Sequence, residues 1–295
     1  MKVFNNNFVN FLFLIILLMP VSAYSACLQT GVQLQVLGSG GPGHASGRAS
    51  SAYVVWINGE SRILVDAGSG TKNLFHLSGA TVEQIDLIAL THLHPDHASE
   101  LPAILWPGGG SFTLAGPDGD GVFPSIREFS EKMFGSGGVF AILADRIDYD
   151  IVQLERSSAP VIDVWSAPTI EVTAAAVPHG DVPTLGYRIE AEGNSIGFTS
   201  DQNGSDPGFI DFIRGVDYLV IHLAGNEDST GLMAFLHAKP SVWGQMATAA
   251  GVGHVIISHI SAPEPDVLEQ NLAILSENYD GLLTVAEDLM CISLD

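Results

Sequence analysis

Four side chains able to hold a metal fall within six residues of the segment Thr91-His92-Leu93-His94-Pro95-Asp96-His97. The spacing states their geometry. His92 and His94, two apart on extended backbone, project to one side and can grip a single cation. Asp96 and His97 follow a turn at Pro95 and suit a second cation. Polar groups crowded beside a core destabilise it unless something satisfies them, and converging imidazoles and carboxylates are the usual means of satisfying a metal.

Further ligands stand at the ends of other strand-like runs. The apolar run Ile85–Leu90 predicts a short buried strand immediately before the cluster. His179 follows Thr169–Thr173, Asp201 ends Ser195–Ser200, and His259 ends Val255–Ser258. Taken singly, His179 or His259 reads as a hydrogen-bonded structural histidine. Together with the cluster they make a set of seven ligands delivered by loops at strand exits, a common way to build a site at a sheet edge.

The order HxHxDH, then His, Asp and a final His, resembles the metallo-β-lactamase superfamily of dinuclear metallohydrolases. The resemblance extends over nearly the whole chain beyond the N-terminal segment. Leu37–Pro42 and Ile63–Gly68 fall in the family's order, and Leu185–Glu190 is similar to a strand of the phosphodiester-cleaving branch. That branch includes ribonuclease Z, a group of cyclic-nucleotide phosphodiesterases and zinc-dependent arylsulfatases. The resemblance implies an α/β fold, a four-layer αββα sandwich with metals at one edge of two sheets. It implies one metal on His92, His94 and His179, a second on Asp96, His97 and His259, and Asp201 bridging them. It also implies that Asp66 orients a ligand histidine, against a competing reading as a turn cap. His237 resembles in position a histidine that acts near the scissile group, against a competing role in capping the helix after Pro240. Where the branch usually has His-Glu, this chain reads His222-Leu223, which leaves the proton donor open and a structural role open for His222.

The composition fits one enzyme domain. Of 295 residues 46% are hydrophobic, enough for a large core, and 32 glycines with 15 prolines suit many short turns. Strand-like and helix-like stretches alternate, which argues for a layered α/β fold. Helices are predicted over Pro124–Phe134, Ser241–Ala250 and Pro265–Asn278. The loop Gly38–Gly43 lacks the Gly-Lys-Ser/Thr ending of a nucleotide-binding loop and reads as a turn bordering the site. His44, His76 and His254 show no partner in the pattern.

Residues 1–26 read as a secretory signal peptide and 27–295 as the hydrolase domain. Phe8–Met19 is apolar except for Asn10, follows Lys2, and precedes mostly small residues up to Ala26. A transmembrane anchor is the competing reading, but the run is short for a span. Export, to a periplasm, is therefore expected, with no membrane span after cleavage. Lipidation at Cys27 is disfavoured by Tyr24. Cys27 and Cys291 are the two cysteines; in an exported chain they can pair and tie the termini, or remain two thiols.

Charge and site together set the expected chemistry. Eleven Lys plus Arg against 33 Asp plus Glu give a net charge of −22. Such a surface predicts no long nucleic-acid partner, since affinity for phosphate backbones depends on Lys and Arg. Residues 135–167, where ribonuclease Z carries a basic arm, are short and acidic. The expected partner is a small-molecule ester. Two divalent cations, zinc by ligand chemistry, would polarise the ester oxygen and activate water. Asp96, beside both metal and water, and His237 are the candidate catalytic groups. Together with these readings, the resemblance implies an exported hydrolase of arylsulfate or small phosphodiester bonds, cyclic nucleotides included. A lactonase or β-lactamase-like hydrolase is the alternative, although Asp201 departs from the usual β-lactamase ligand set. A non-catalytic zinc-binding protein is a third reading, which leaves an open site beside His237 without a purpose.

Overall fold

The computed structural model describes residues 27, 30–43, 47–157, 159–261 and 264–294. The signal-peptide reading of residues 1–26, and His44, lie outside the described residues. Two seven-stranded sheets face one another. The first contains β1 (Val32–Gly38), β2 (Ala52–Ile57), β3 (Glu60–Val65), β4 (Leu87–Ala89), β5 (Ser111–Pro117) and β6 (Asp148–Leu154). The second contains β7 (Ile162–Ala167), β8 (Ile170–Ala176), β9 (Leu185–Ala191), β10 (Asn194–Phe198), β11 (Tyr218–His222), β12 (His254–Ser258) and β13 (Leu282–Val285). The last strand, β14 (Cys291–Ser293), returns to the first sheet beside β1.

Strand periodicity explains the layering. On β2, Tyr53, Val55 and Ile57 enter the core between the sheets, while Val54 and Trp56 enter the outer core. Both faces are apolar, so both must be covered. Helices α1 (Thr71–Leu77), α2 (Pro95–Ala98), α3 (Leu101–Ile104) and α4 (Ile126–Phe134) follow strands of the first sheet. Phe75, Leu101, Ile104 and Phe134 from them pack on Leu64, Ile88 and Leu114. Helices α5 (Gly208–Phe212), α6 (Gly231–Leu236), α7 (Pro240–Ala250) and α8 (Pro265–Asn278) accompany the second sheet. Phe209, Trp243, Met246 and Leu275 close over Leu219, Ile221, Val255 and Ile257. The result is the expected αββα sandwich.

Strand direction places the site. Antiparallel β8–β9 and β9–β10 pairs, then parallel β10–β11–β12, make β8, β10, β11 and β12 run the same way. Their carboxyl ends therefore share one edge. The three predicted helices are present, with starts set by chemistry: a Ser125–Glu128 capping box before α4, and prolines in the first turn of α7 and α8. The described part of 135–167 supplies a 3-10 turn (Ala141–Leu143) and then β6 and β7, the edge strands of the two sheets. Cys27 and Cys291 form a disulfide that ties the segment before β1 to β14. Among the described residues, no helix is long and apolar enough to cross a membrane.

Candidate metal centre

The predicted ligands come from strand exits and, for Asp96 and His97, from the one-turn helix α2 that follows β4, and all seven meet at the shared edge. His92 follows β4, His179 follows β8, Asp201 follows β10 and His259 directly follows β12. His92, His94 and His179 form one trio whose ligand atoms lie within 4.8 Å of one another. On the other side, His259 Nε2 is 3.3 Å from Asp96 Oδ2 and 3.3 Å from Asp201 Oδ1. His97 Nε2 lies 3.7 Å from Asp96 Oδ2 and 3.6 Å from Asp201 Oδ2. Asp201 Oδ2 is also 3.8 Å from His179 Nε2, so this carboxylate stands between the two groups.

Outer contacts fix the histidine rings. His97 Nδ1 donates to Asp66 Oδ2 at 2.7 Å, which turns Nε2 towards Asp96 and Asp201. Asp66 also accepts the Thr91 N–H at 2.8 Å and its hydroxyl at 2.9 Å. Asp66 thus serves a candidate ligand as well as a turn. His179 Nδ1 donates to the Leu236 carbonyl at 2.9 Å. Gly41 sits against His259: a Cβ there would come 2.6 Å from its Cε1, so the Gly38–Gly43 loop does border the site. Asp66, Ser200 and His259 hold φ of 59°, 55° and 51°, a left-handed backbone that costs non-glycine residues energy and gathers at functional sites.

The donor set fits metal ions. His97 Nε2, His179 Nε2 and His237 Nδ1 are buried with no hydrogen-bond partner. Asp66, Asp96 and Asp201 bring three carboxylates into a region at most 9% exposed, an arrangement that needs compensating positive charge. Burial holds His92, His94 and His179 below their ordinary pKa and so in the neutral form a metal requires. Burial opposes ionisation of Asp201, but His259, His97 and the bond from His222 carry it well below the carboxylate range. Asp96 falls to about 2 for the same reason: burial is outweighed by His259 and His97. Burial also works against a charge on His97, yet Asp66 and Asp201 raise it well above its usual value.

Two further histidines adjoin the seven. His237 is the C-cap residue just after α6 and is 8% exposed, with Nδ1 3.8 Å from Asp201 Oδ2. It does not cap the next helix, whose N-cap is Lys239. Burial lowers its pKa to about 4. His222 groups with His97, Asp201 and His259, but both of its nitrogens are engaged: Nδ1 with Asp201 at 2.8 Å and Nε2 with the Tyr53 hydroxyl at 3.1 Å. It positions the carboxylate rather than offering a free donor. Tyr53 carried no signal in the sequence, where it reads as one more residue of an apolar strand. His254, expected to lack a partner, contacts the Thr284 hydroxyl at 2.9 Å.

A family profile described as the Beta-lactamase superfamily domain matches residues 61–260. A relative named ribonuclease Z from Mycolicibacterium gilvum is 26% identical over 284 residues, covering 88% of this chain and 94% of the relative. The human tRNase Z short form superposes with a TM-score of 0.71 at 21% identity, over 89% of this chain and 98% of that one. The Zn2+-bound PqqB of Methylobacterium extorquens gives a TM-score of 0.66 at 19% identity, over 89% and 100%. These relatives correct the expectation that charge rules out long nucleic acid and leaves only a small-molecule ester. Two relatives matched over 88% of this chain are ribonucleases by name, and net charge sums a whole surface whereas a scissile phosphate is held locally.

Proposed function

With the chain a member of the metallo-β-lactamase superfamily, in its ribonuclease Z and phosphodiesterase branch, we propose that it is a dinuclear metal-dependent phosphodiesterase with RNA among its substrates. One observation carries the reading: Asp201 stands within 3.8 Å of His179 on one side and 3.6 Å of His97 on the other. In this reading His92, His94 and His179 hold one cation, Asp96, His97 and His259 hold another, and Asp201 is shared. Zinc suits such imidazole and carboxylate donors. Bound there, the cations supply Lewis acidity at the phosphoryl oxygens and a nucleophile drawn from water.

The protein's own groups do the rest. Asp66 holds His97 in the tautomer that leaves Nε2 free, and Tyr53 with His222 holds Asp201. Asp96, ionised and within the cluster, can take the proton that the attacking water loses. His237, neutral at pH 7 because burial lowers its pKa to about 4, can steady the leaving oxygen with a hydrogen bond from its ring N–H, while the proton that oxygen needs comes from solvent. We also read the chain as exported; the Cys27–Cys291 disulfide supports an oxidising compartment.

The test is a parallel panel on metal-replete protein: a 3′-extended tRNA transcript, a bis-aryl phosphate, a cyclic nucleotide, an aryl sulfate, a lactone and a β-lactam. Turnover of at least one phosphodiester is expected, lost in Asp201→Ala together with bound metal. Turnover of the lactone or β-lactam alone would sink the reading. Hydrolysis of the aryl sulfate beside a phosphodiester would widen the substrate class without changing the site.

A further inference from the structure

The helix that leads into His237 turns its apolar side chains outward. None of the residues of α6 is buried, and Leu232, Met233 and Phe235 are 70%, 41% and 50% exposed. Apolar side chains clustered on a surface in this way mark contact sites. The backbone of α6 ties this cluster to the metal centre. The Leu236 carbonyl accepts from His179 Nδ1 at 2.9 Å, and the Phe235 carbonyl accepts from Asn203 Nδ2 at 3.0 Å, two residues beyond Asp201. The Met233 carbonyl accepts the His237 N–H at 2.8 Å.

The Phe235 ring has a defined seat. It lies against Gly180, the residue after His179, where a Cβ would stand 2.9 Å from the ring Cε1 and 2.8 Å from Leu236 Cδ2. With φ of +57°, Gly180 takes a turn that suits glycine, and the missing side chain leaves room for the ring. Phe235 therefore packs against the loop of a candidate ligand on one side and stays half open on the other.

We propose that α6 is an aromatic-binding rim of the site, on which a flat ring carried by the ester, a nucleobase or an aryl group, rests against Phe235 while the phosphate faces the histidine cluster. The inference rests on the phosphodiester reading above. The chemistry of the surface selects this class of ligand. Charge would not hold a base or an aryl ring here, whereas the open part of a phenyl ring can stack on any π-face. Leu232, three residues before Phe235 and so on the same face of the helix, extends the apolar strip.

Equilibrium binding tests the rim without turnover. Zinc-loaded protein is titrated by calorimetry with two matched pairs of phosphate monoesters, phenyl phosphate against methyl phosphate and AMP against ribose 5-phosphate. In at least one pair the aromatic member is expected to bind roughly ten-fold tighter, the scale of one stacked ring. Phe235→Ala should bring that ratio within about two-fold, and Leu232→Ser should lower it part of the way. Zinc content by elemental analysis should stay level in all variants. Discrimination confined to the phenyl pair assigns the rim to aryl esters, and discrimination confined to the AMP pair assigns it to nucleobases. Equal affinity within both wild-type pairs, or a ratio that survives Phe235→Ala, overturns the rim while leaving the phosphate site standing. Failure of all four monoesters to bind overturns the phosphodiester reading and the rim with it.

Discussion

Replacing Asp66 by Asn should weaken metal binding without unfolding the protein, because the change reverses a tautomer rather than removing a ligand. Asp66 is fully buried and accepts three hydrogen bonds: 2.8 Å from Thr91 N–H, 2.9 Å from the Thr91 hydroxyl and 2.7 Å from His97 Nδ1. An Asn has one acceptor and one donor end. The Thr91 backbone N–H cannot reverse its role, so the amide oxygen stays with it and the NH2 faces His97. The Thr91 hydroxyl can rotate to accept; His97 Nδ1 can accept only if its proton moves to Nε2. That atom lies 3.6 Å from Asp201 and 3.7 Å from Asp96, where a cation would sit, and a protonated nitrogen binds none. Asn tolerates the φ of 59° at this position, so the backbone is not disturbed. Removing such an orienting partner costs about ten- to a hundred-fold in metal affinity, or roughly 1.4–2.7 kcal/mol. Zinc affinity is read by competition with a chromogenic chelator, and folding by circular dichroism. A folded Asp66→Asn protein that binds zinc within two-fold of wild type would refute the tautomer argument.

Two further outcomes follow from the structure. The Cys27–Cys291 disulfide spans a sequence separation of 264 residues, so replacing both cysteines by Ser should lower stability by about 2–5 kcal/mol in urea unfolding; an unchanged midpoint, or free thiols titrating in the native protein, would count against the pairing. The metal-free protein should lose stability as pH falls from 6.5 towards 4, because burial lowers His222 to about 4 and the unfolded chain takes up that proton first. His97, raised by its carboxylates, works in the opposite sense: its contribution is present at low pH and lost as pH rises through the folded value. Comparing wild type with His222→Gln isolates the first effect, and a difference below about 1 kcal/mol between pH 7 and pH 5 would dismiss it.

The site was largely legible because its residues are encoded locally. HxHxDH lies in one turn, and His179, Asp201 and His259 each follow a run of strand formers, so residue type and strand exit coincide. Element edges were less legible where pairing decides them. The run Ile85–Leu90 reads as one strand, but only Leu87–Ala89 finds partners, in Ile63–Val65 and Thr113–Ala115. By contrast Pro265–Asn278 matches its helix, since proline in the first turn sets the start from within the segment. Tyr53 was invisible for a physical reason: its partners His222 and Ser258 are 169 and 205 residues away, and no local pattern records that contact. Short α6 gave no helical period to read, and its position beside His179 depends on a carbonyl contact across 57 residues.

Net charge misled about the partner, and the reason lies in what a sum over the whole chain measures. The value of −22 includes Asp66, Asp96 and Asp201, which are buried, face inward and are balanced by histidines and, in the proposed reading, by cations. These carboxylates attract metal rather than repel a substrate once metal is in place. Affinity won by counterion release grows with the number of phosphates that Lys and Arg neutralise, and eleven such residues limit that gain. Hydrolysis of a phosphodiester asks less: one phosphate must reach the cluster, and one neighbouring ring can be held by stacking. In the proposed reading, a chain poor in basic residues acts on RNA through the metal cluster and α6, with recognition concentrated at the scissile bond instead of spread along the backbone.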